Sequence, residues 1–177
     1  MDRATVESRV HTLLEAWNAR DLDGFVALMT EDVSWHDLGM PHPPARGRSA
    51  VRMFAESALR AFPDFRYVIR APICVAADGG SCLVPFTLSA THTAVLDPPG
   101  FAPVNRSVHF DGLDYITFRG DLIATIETRF DPAEPIEQLT GLVLRPPSGS
   151  WRERGLVSLQ RALAWWIRQR HHHGTAG

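Results

Sequence analysis

The segment Val108-His109-Phe110-Asp111-Gly112-Leu113-Asp114-Tyr115-Ile116-Thr117-Phe118 decides the fold. One parity reads Val108, Phe110, Gly112, Asp114, Ile116, Phe118, an apolar face interrupted by a single carboxylate. The other parity, His109, Asp111, Leu113, Tyr115, Thr117, is mixed. Successive strand side chains point to opposite faces, so the pattern predicts a long strand with one buried face. Asp114 then points toward whatever that face covers. A carboxylate placed there must raise its pKa or find hydrogen-bond donors, which makes it a candidate functional residue.

Working outward, the same alternation predicts strands at 65 to 73, 81 to 93, 106 to 118 and 121 to 130. Gly120-Asp121 joins the last two as a tight hairpin, and Asp97 to Pro103 reads as a Pro/Gly-rich loop. Before residue 65 the period is helical. Val6, Val10, Leu13, Leu14 and Trp17 form the stripe of a first helix starting near Ala4 or Thr5. Asp21 caps a short second helix carrying Leu22, Phe25, Val26 and Met29, and a brief strand runs from Val33 to Leu38. Pro41 to Pro44 is a loop, and Ser49 to Phe62 a third helix burying Val51, Phe54, Ala55, Ala58 and Phe62. Helices followed by a meander of strands is an α+β pattern, with helices on one face of a curved, mostly antiparallel sheet.

A chain of 177 residues suits one domain with an appendage. The absence of an apolar run near 18 residues excludes a membrane-spanning helix. Met1-Asp2-Arg3-Ala4-Thr5 lacks a signal-peptide plan, so a cytoplasmic location is expected. Cys74 and Cys82 flank the Gly79-Gly80 turn without metal-site spacing and read as reduced, packed thiols. All 18 basic residues are Arg, which excludes Schiff-base chemistry on a lysine. Residues 1 to 144 hold 12 Arg against 19 acids, a balance of −7; residues 145 to 177 hold 6 Arg against Glu153 alone, a balance of +5. An acidic body argues against a nucleic-acid ligand.

Two further strands repeat the signature of Asp114. Val33, Trp35 and Asp37 share a parity ending in a carboxylate, and Val84, Phe86, Leu88, Ala90, His92 is apolar until its histidine. If these faces converge, a hydrophobic pocket holds two carboxylates and an imidazole, a set suited to proton transfer. Each residue also has a structural reading: Asp37 as a strand-end acceptor of backbone N–H groups, His92 as a satisfied core histidine. His109 and Asp111 share a face without an evident third metal ligand, so no metal is expected. The aromatics Trp17, Trp35, Phe54, Tyr67 and Phe110 are core residues or the lining of a substrate cavity.

The ordered set Ala19-Arg20-Asp21-Leu22-Asp23-Gly24-Phe25, Trp35-His36-Asp37, the Gly47 to Phe54 helix start, Phe62-Pro63-Asp64, Thr91-His92-Thr93, and Asp114 followed by Asp131 resembles SnoaL-type polyketide cyclases. These are relatives of the ketosteroid isomerases in the nuclear-transport-factor-2-like superfamily. The resemblance covers residues 5 to about 132 and implies a cone: a strongly bent sheet wrapped around helices, with a deep apolar cavity. It places Asp114 at the cyclases' acid/base aspartate and the isomerases' protonated oxyanion-hole aspartate, and Asp37 at the isomerases' general base. His92 matches a histidine frequent among the cyclases. Where the isomerases carry an oxyanion tyrosine this chain has Leu13, which argues against steroid isomerisation; Thr117 stands where the cyclases commonly carry arginine, and the usual Asp-Gly turn is reversed to Gly120-Asp121.

The expected function is therefore cofactor-independent acid/base catalysis on a hydrophobic, carbonyl-bearing small molecule, by cyclisation or isomerisation of a polyketide-like intermediate. Asp114 would shuttle the proton, Asp37 act as second base or acid, and His92 orient or stabilise the enolate. Epoxide opening, by hydrolysis or by an internal hydroxyl, and a non-catalytic ligand-binding or dimerisation module are the alternatives. A homodimer is the expected assembly.

The expected domain runs from 1 to 144. Beyond it, Arg145-Pro146-Pro147-Ser148-Gly149 reads as a linker, and Leu156, Leu159, Leu163, Trp166 and Ile167 form an apolar stripe bordered by Arg152, Arg161, Arg168 and Arg170. Such a basic amphipathic helix suits docking on an acidic body or second subunit, an anionic membrane surface, or a partner protein. His171-His172-His173 reads as solvated.

Overall fold

The computed structural model describes residues 1–38, 43–97 and 99–173, apart from the side chains of 167 and 169–173. The expected loop at Pro41 and His42, and the side chains of Ile167, Arg170 and the His171-His172-His173 run read as solvated, thus lie outside what is described. The chain forms two compact units, Met1–Gly141 and Leu142–Gly177.

The first unit opens with α1 (Arg3–Ala19), whose N-cap Asp2 accepts a hydrogen bond from the Thr5 N–H and whose left-handed Arg20 ends it. All five stripe residues of α1 are buried. The Asp21 carboxylate caps α2 (Leu22–Ala27) by accepting from the Gly24 N–H. Strand β1 (Met29–Asp37) starts earlier than the alternation predicts, and β2 (Ala45–Arg46) pairs with it before α3 (Gly47–Ala61). Phe54 and Phe62 at α3 are half-buried rather than buried, because they border the cavity described below.

Of the predicted strand at 65 to 73 only β3 (Arg66–Ile69) forms, and β4 (Cys74–Val75) follows just beyond its expected end. Pro72 stands between them and has no N–H to give a ladder. Strands β5 (Ser81–Thr91), β6 (Ser107–Arg119) and β7 (Leu122–Phe130) form the antiparallel meander, with the turn at Gly120 in positive φ. The sheet runs β2-β1-β7-β6-β5-β3, with β4 also against β5. The fold is α+β, as expected, though β1 and β7 pair parallel, placing Asp37 beside Thr128.

The core lies between the concave sheet face and the helices. Val6, Val10 and Leu13 of α1 and Val51 and Ala55 of α3 meet Val84, Phe86, Ile116 and Ile126 of the sheet. Gly112 has a specific purpose there: a Cβ on it would come 2.2 Å from the Phe86 ring. The bare backbone lets that ring lie across β6.

One element was not anticipated. Helix α4 (Ala133–Thr140) follows β7 and packs near β6, where the Gln138 side chain exchanges hydrogen bonds with the His109 backbone. The second unit contains α5 (Trp151–His173), on which Leu156, Leu159, Leu163 and Trp166 are exposed. No helix among the described residues is long and apolar enough to cross a membrane.

Candidate active site

A cavity of about 540 Å³ opens on the concave side of the sheet. Its walls come from α1 (Trp17), β1 (Trp35, Asp37), α3 and its end (Phe54, Phe62), β3 (Tyr67), β5 and the residue after it (Phe86, Leu88, His92), β6 (Phe110) and β7 (Thr128). The rim is apolar, built from Leu96, Phe101 and Val104 and from Pro135, Ile136 and Leu139 of α4. Every aromatic residue singled out in the sequence borders it, as do Asp37 and His92. A volume of this size suits a drug-sized ligand held mainly by apolar contact.

Asp114 is buried behind this wall and is not itself a lining residue. Both its oxygens are engaged. The Tyr67 hydroxyl donates to Oδ2, and the Thr128 hydroxyl donates to Oδ1 at 2.7 Å. Trp35 in turn donates from Nε1 to the Thr128 oxygen at 3.0 Å. An indole N–H only donates, so it fixes the direction of the whole chain: Trp35 to Thr128 to Asp114. Burial pushes the Asp114 carboxyl up to about 6, against the two hydrogen bonds that favour its charge, and the Asp37 charge adds to the rise. Burial likewise holds the Tyr67 phenol well above its ordinary value, with help from the Asp114 and Asp37 charges. Asp37 is therefore within electrostatic reach of both groups.

This arrangement distributes protons in one of two ways. Thr128 has a single proton, committed to Oδ1, so a proton on Asp114 resides on Oδ2 and faces the Tyr67 oxygen. With Asp114 ionised, the phenol spends its proton on the carboxylate. With Asp114 neutral, the carboxyl donates to the phenol oxygen, and the Tyr67 O–H is free to turn into the cavity. The buried Cys82 is pushed up to about 12 by burial and the Asp114 charge, which keeps it a thiol.

His92 stands apart from this group. Asp114 lies opposite Val84, whereas His92 follows the end of β5, eight residues further along the chain. Its backbone is clamped by bonds to Arg106 and Asn105, and its ring stacks on Phe62 with centroids 4.8 Å apart. Both ring nitrogens are buried and, among the described residues, make no hydrogen bond of good geometry, and the same holds for Nε1 of Trp17. Burial lowers the His92 pKa, with a loose opposing contact to the Ala94 backbone. The three ionisable groups that the strand parities single out thus border or back one cavity, but they do not form one cluster.

The sequence matches the SnoaL-like domain over residues 10–126. The chain belongs to that family. A proposed polyketide cyclase from Xanthomonas campestris pv. campestris superposes with a TM-score of 0.66 at 20% identity, covering 78% of this chain and 98% of that one. AclR, a proposed hydroxylase from Streptomyces galilaeus, gives a TM-score of 0.66 at 19% identity over 97% of this chain and 98% of its own. An NTF2-like protein from Burkholderia pseudomallei gives 0.64 at 24% identity, over 79% and 99%. At these identities the likeness establishes a shared fold. A search of curated proteins finds none that matches this sequence.

Three features of the site are not apparent from the sequence pattern: Thr128, the α4 lining and the role of Tyr67. Thr128 lies beyond the matched segment, yet it carried a usable signal, being a polar residue on the inward parity of Ile126, Thr128 and Phe130. The lining residues of α4 lie beyond it too. Tyr67 was recognised as an aromatic lining residue but not as the donor to Asp114, because nothing local connects positions 47 residues apart.

Proposed function

We propose that this protein is a cofactor-independent acid/base enzyme that enolises a hydrophobic, carbonyl-bearing small molecule and so cyclises or isomerises a polyketide-like intermediate. The observation that carries this reading is the buried carboxyl of Asp114, held near neutrality in its titration and backing a phenol that borders an apolar cavity.

In this mechanism the substrate carbonyl oxygen lies against Tyr67. Asp37 accepts the α-proton, and the Tyr67 O–H, itself receiving a hydrogen bond from neutral Asp114, stabilises the enolate oxygen. The phenol takes the place of the tyrosine that the family resemblance would put at Leu13. Asp114 is then a positioning residue acting through Tyr67. Collapse of the enolate onto an internal electrophile gives cyclisation; return of the proton from Asp37 to another carbon gives isomerisation. The dry aromatic wall strengthens each of these interactions by excluding water.

The test is hydrogen exchange. Incubated with the protein in heavy water, β-tetralone should lose its α-protons faster than in buffer, as read by proton NMR. Asp37→Asn should reduce that exchange by at least ~100-fold. Exchange no faster than buffer, or undiminished by Asp37→Asn, rejects the mechanism.

A further inference from the structure

Among the described residues, α5 (Trp151–His173) is the sole helix or strand of the second unit, Leu142–Gly177. That unit therefore offers no second element on which its apolar side chains could pack. Leu156, Leu159 and Leu163 follow at intervals of three and four, so they form one stripe, and all three are exposed. A helix draws most of its stability from packing such a face, so α5 calls for a surface to lie on.

Charge is laid out against that stripe. Arg154, Arg161 and Arg168 recur every seven residues, close to two turns, and make one exposed row. Arg154 and Arg161 stand two residues before Leu156 and Leu163, which sets the row across the helix from the stripe. Trp151 precedes Arg154 by three residues and Trp165 follows Arg161 by four, so both indoles fall on the border between row and stripe. They are 72% and 59% exposed. Passing around the helix, the order is hydrocarbon, indole, cation. The same order is met on passing outward through a bilayer, from acyl chains through the interface to the phosphates.

Other occupants fit this layout less well. Pairing with a second α5 would use the seam from Leu156 to Trp166, which is shorter than two heptads, and the sequence places Arg152 and Arg170 at its next positions on either side. A stable coiled coil takes about three heptads or more. A groove on a protein would cover the stripe and leave the two indoles in water. An anionic bilayer surface accommodates stripe and indoles together and attracts residues 145 to 177, whose 6 Arg stand against Glu153 alone. No helix among the described residues is long and apolar enough to cross a membrane, so α5 would lie on the surface and not span it.

We propose that α5 is an interfacial anchor that binds anionic phospholipid surfaces, with Leu156, Leu159 and Leu163 toward the acyl chains, Trp151 and Trp165 at the interface and the arginine row among the phosphates.

The test is co-sedimentation of the full chain with vesicles of phosphatidylglycerol or of phosphatidylcholine, at about pH 8, where histidine is neutral. The wild-type protein should partition onto the anionic vesicles at least ~100-fold more strongly, less so as salt is raised, and with a blue shift of its tryptophan emission. Arg154→Gln, Arg161→Gln and Arg168→Gln combined should weaken that binding about 100-fold, each arginine contributing roughly 5-fold. Leu156→Gln, Leu159→Gln and Leu163→Gln combined should remove the blue shift; glutamine keeps the helix in both variants. The proposal is overturned if the protein stays in the supernatant, if both lipids bind it equally, or if either variant behaves as the wild type does. A dimer in sedimentation equilibrium that the leucine variant dissolves, without vesicle binding, also overturns it and assigns the stripe to a second copy of the chain.

Discussion

The Tyr67 phenol stands between the Asp114 carboxyl and the cavity, donating its hydrogen bond backward to Oδ2. The protonation of Asp114 consequently decides whether the phenol serves the protein or the substrate. Exchange catalysis should be high below the Asp114 pKa of about 6 and fall as pH rises through it. Asparagine at 114 places an amide donor where the neutral carboxyl had its proton. Asp114→Asn should therefore retain activity at pH 6 and abolish the alkaline fall, whereas a direct proton-shuttling role for Asp114 predicts loss at every pH. Initial exchange rates of wild type and variant between pH 5 and 9 separate the two.

Stability should carry the same titration with a defined sign. The folded-state pKa of about 6 exceeds the ordinary 3.8, so the folded protein holds this proton more tightly than the unfolded chain does. The favourable contribution is complete below the unfolded value and is lost as pH rises through 6. Relative to Asp114→Asn, the wild type should lose about 2.4 kcal/mol of unfolding free energy between pH 4 and 8. Urea denaturation of both proteins at the two pH values measures this. A constant difference would mean that Asp114 titrates as an exposed carboxyl does.

The parity of the Val108 to Phe118 run made the burial of Asp114 legible, since alternation fixes which face a strand residue occupies. Its partners were not legible. Tyr67 and Thr128 reach it from different strands, and strand register across a sheet is a nonlocal property. The parallel union of β1 with β7, which brings Asp37 beside Thr128, joins segments separated by the whole domain. The α1 stripe was readable because five buried residues repeat over 17; α4 has eight residues, none buried, and a proline at 135, which left too little periodicity to detect. His92 is buried, as its parity predicts, but its separation from Val84 in the chain becomes informative only once Asp114 is known to pair with Val84.

Gly112 offers a probe of the site from outside it. Its missing Cβ accommodates Phe86, whose ring lies 4.3 Å from that of Tyr67. Gly112→Ala forces Phe86 to move and should cost about 1–3 kcal/mol as overpacking. The displaced ring presses on Tyr67, so the chemical shift of the Asp114 carboxyl should change too. Thermal unfolding together with carboxyl ¹³C NMR checks both. A destabilised variant with an unmoved carboxyl resonance would uncouple Phe86 from the site.

The directed chain from Trp35 through Thr128 to Asp114 makes a prediction about coupling rather than about any one residue. Thr128→Val removes the donor to the buried Asp114 Oδ1 and the acceptor of the half-buried Trp35 N–H. It should cost about 2–4 kcal/mol and raise the Asp114 pKa further, since the Thr128 bond favours the ionised form. Trp35→Phe removes only the first donor, freeing the Thr128 hydroxyl to rotate, and should cost less. Once Trp35 is phenylalanine, Thr128→Val no longer strands an indole, so the double variant should be more stable than the sum of the single losses predicts. A double-mutant cycle by urea denaturation measures that difference. Strict additivity would show that Thr128 serves Asp114 independently of Trp35, and the proton order of the network would then not be set by the indole.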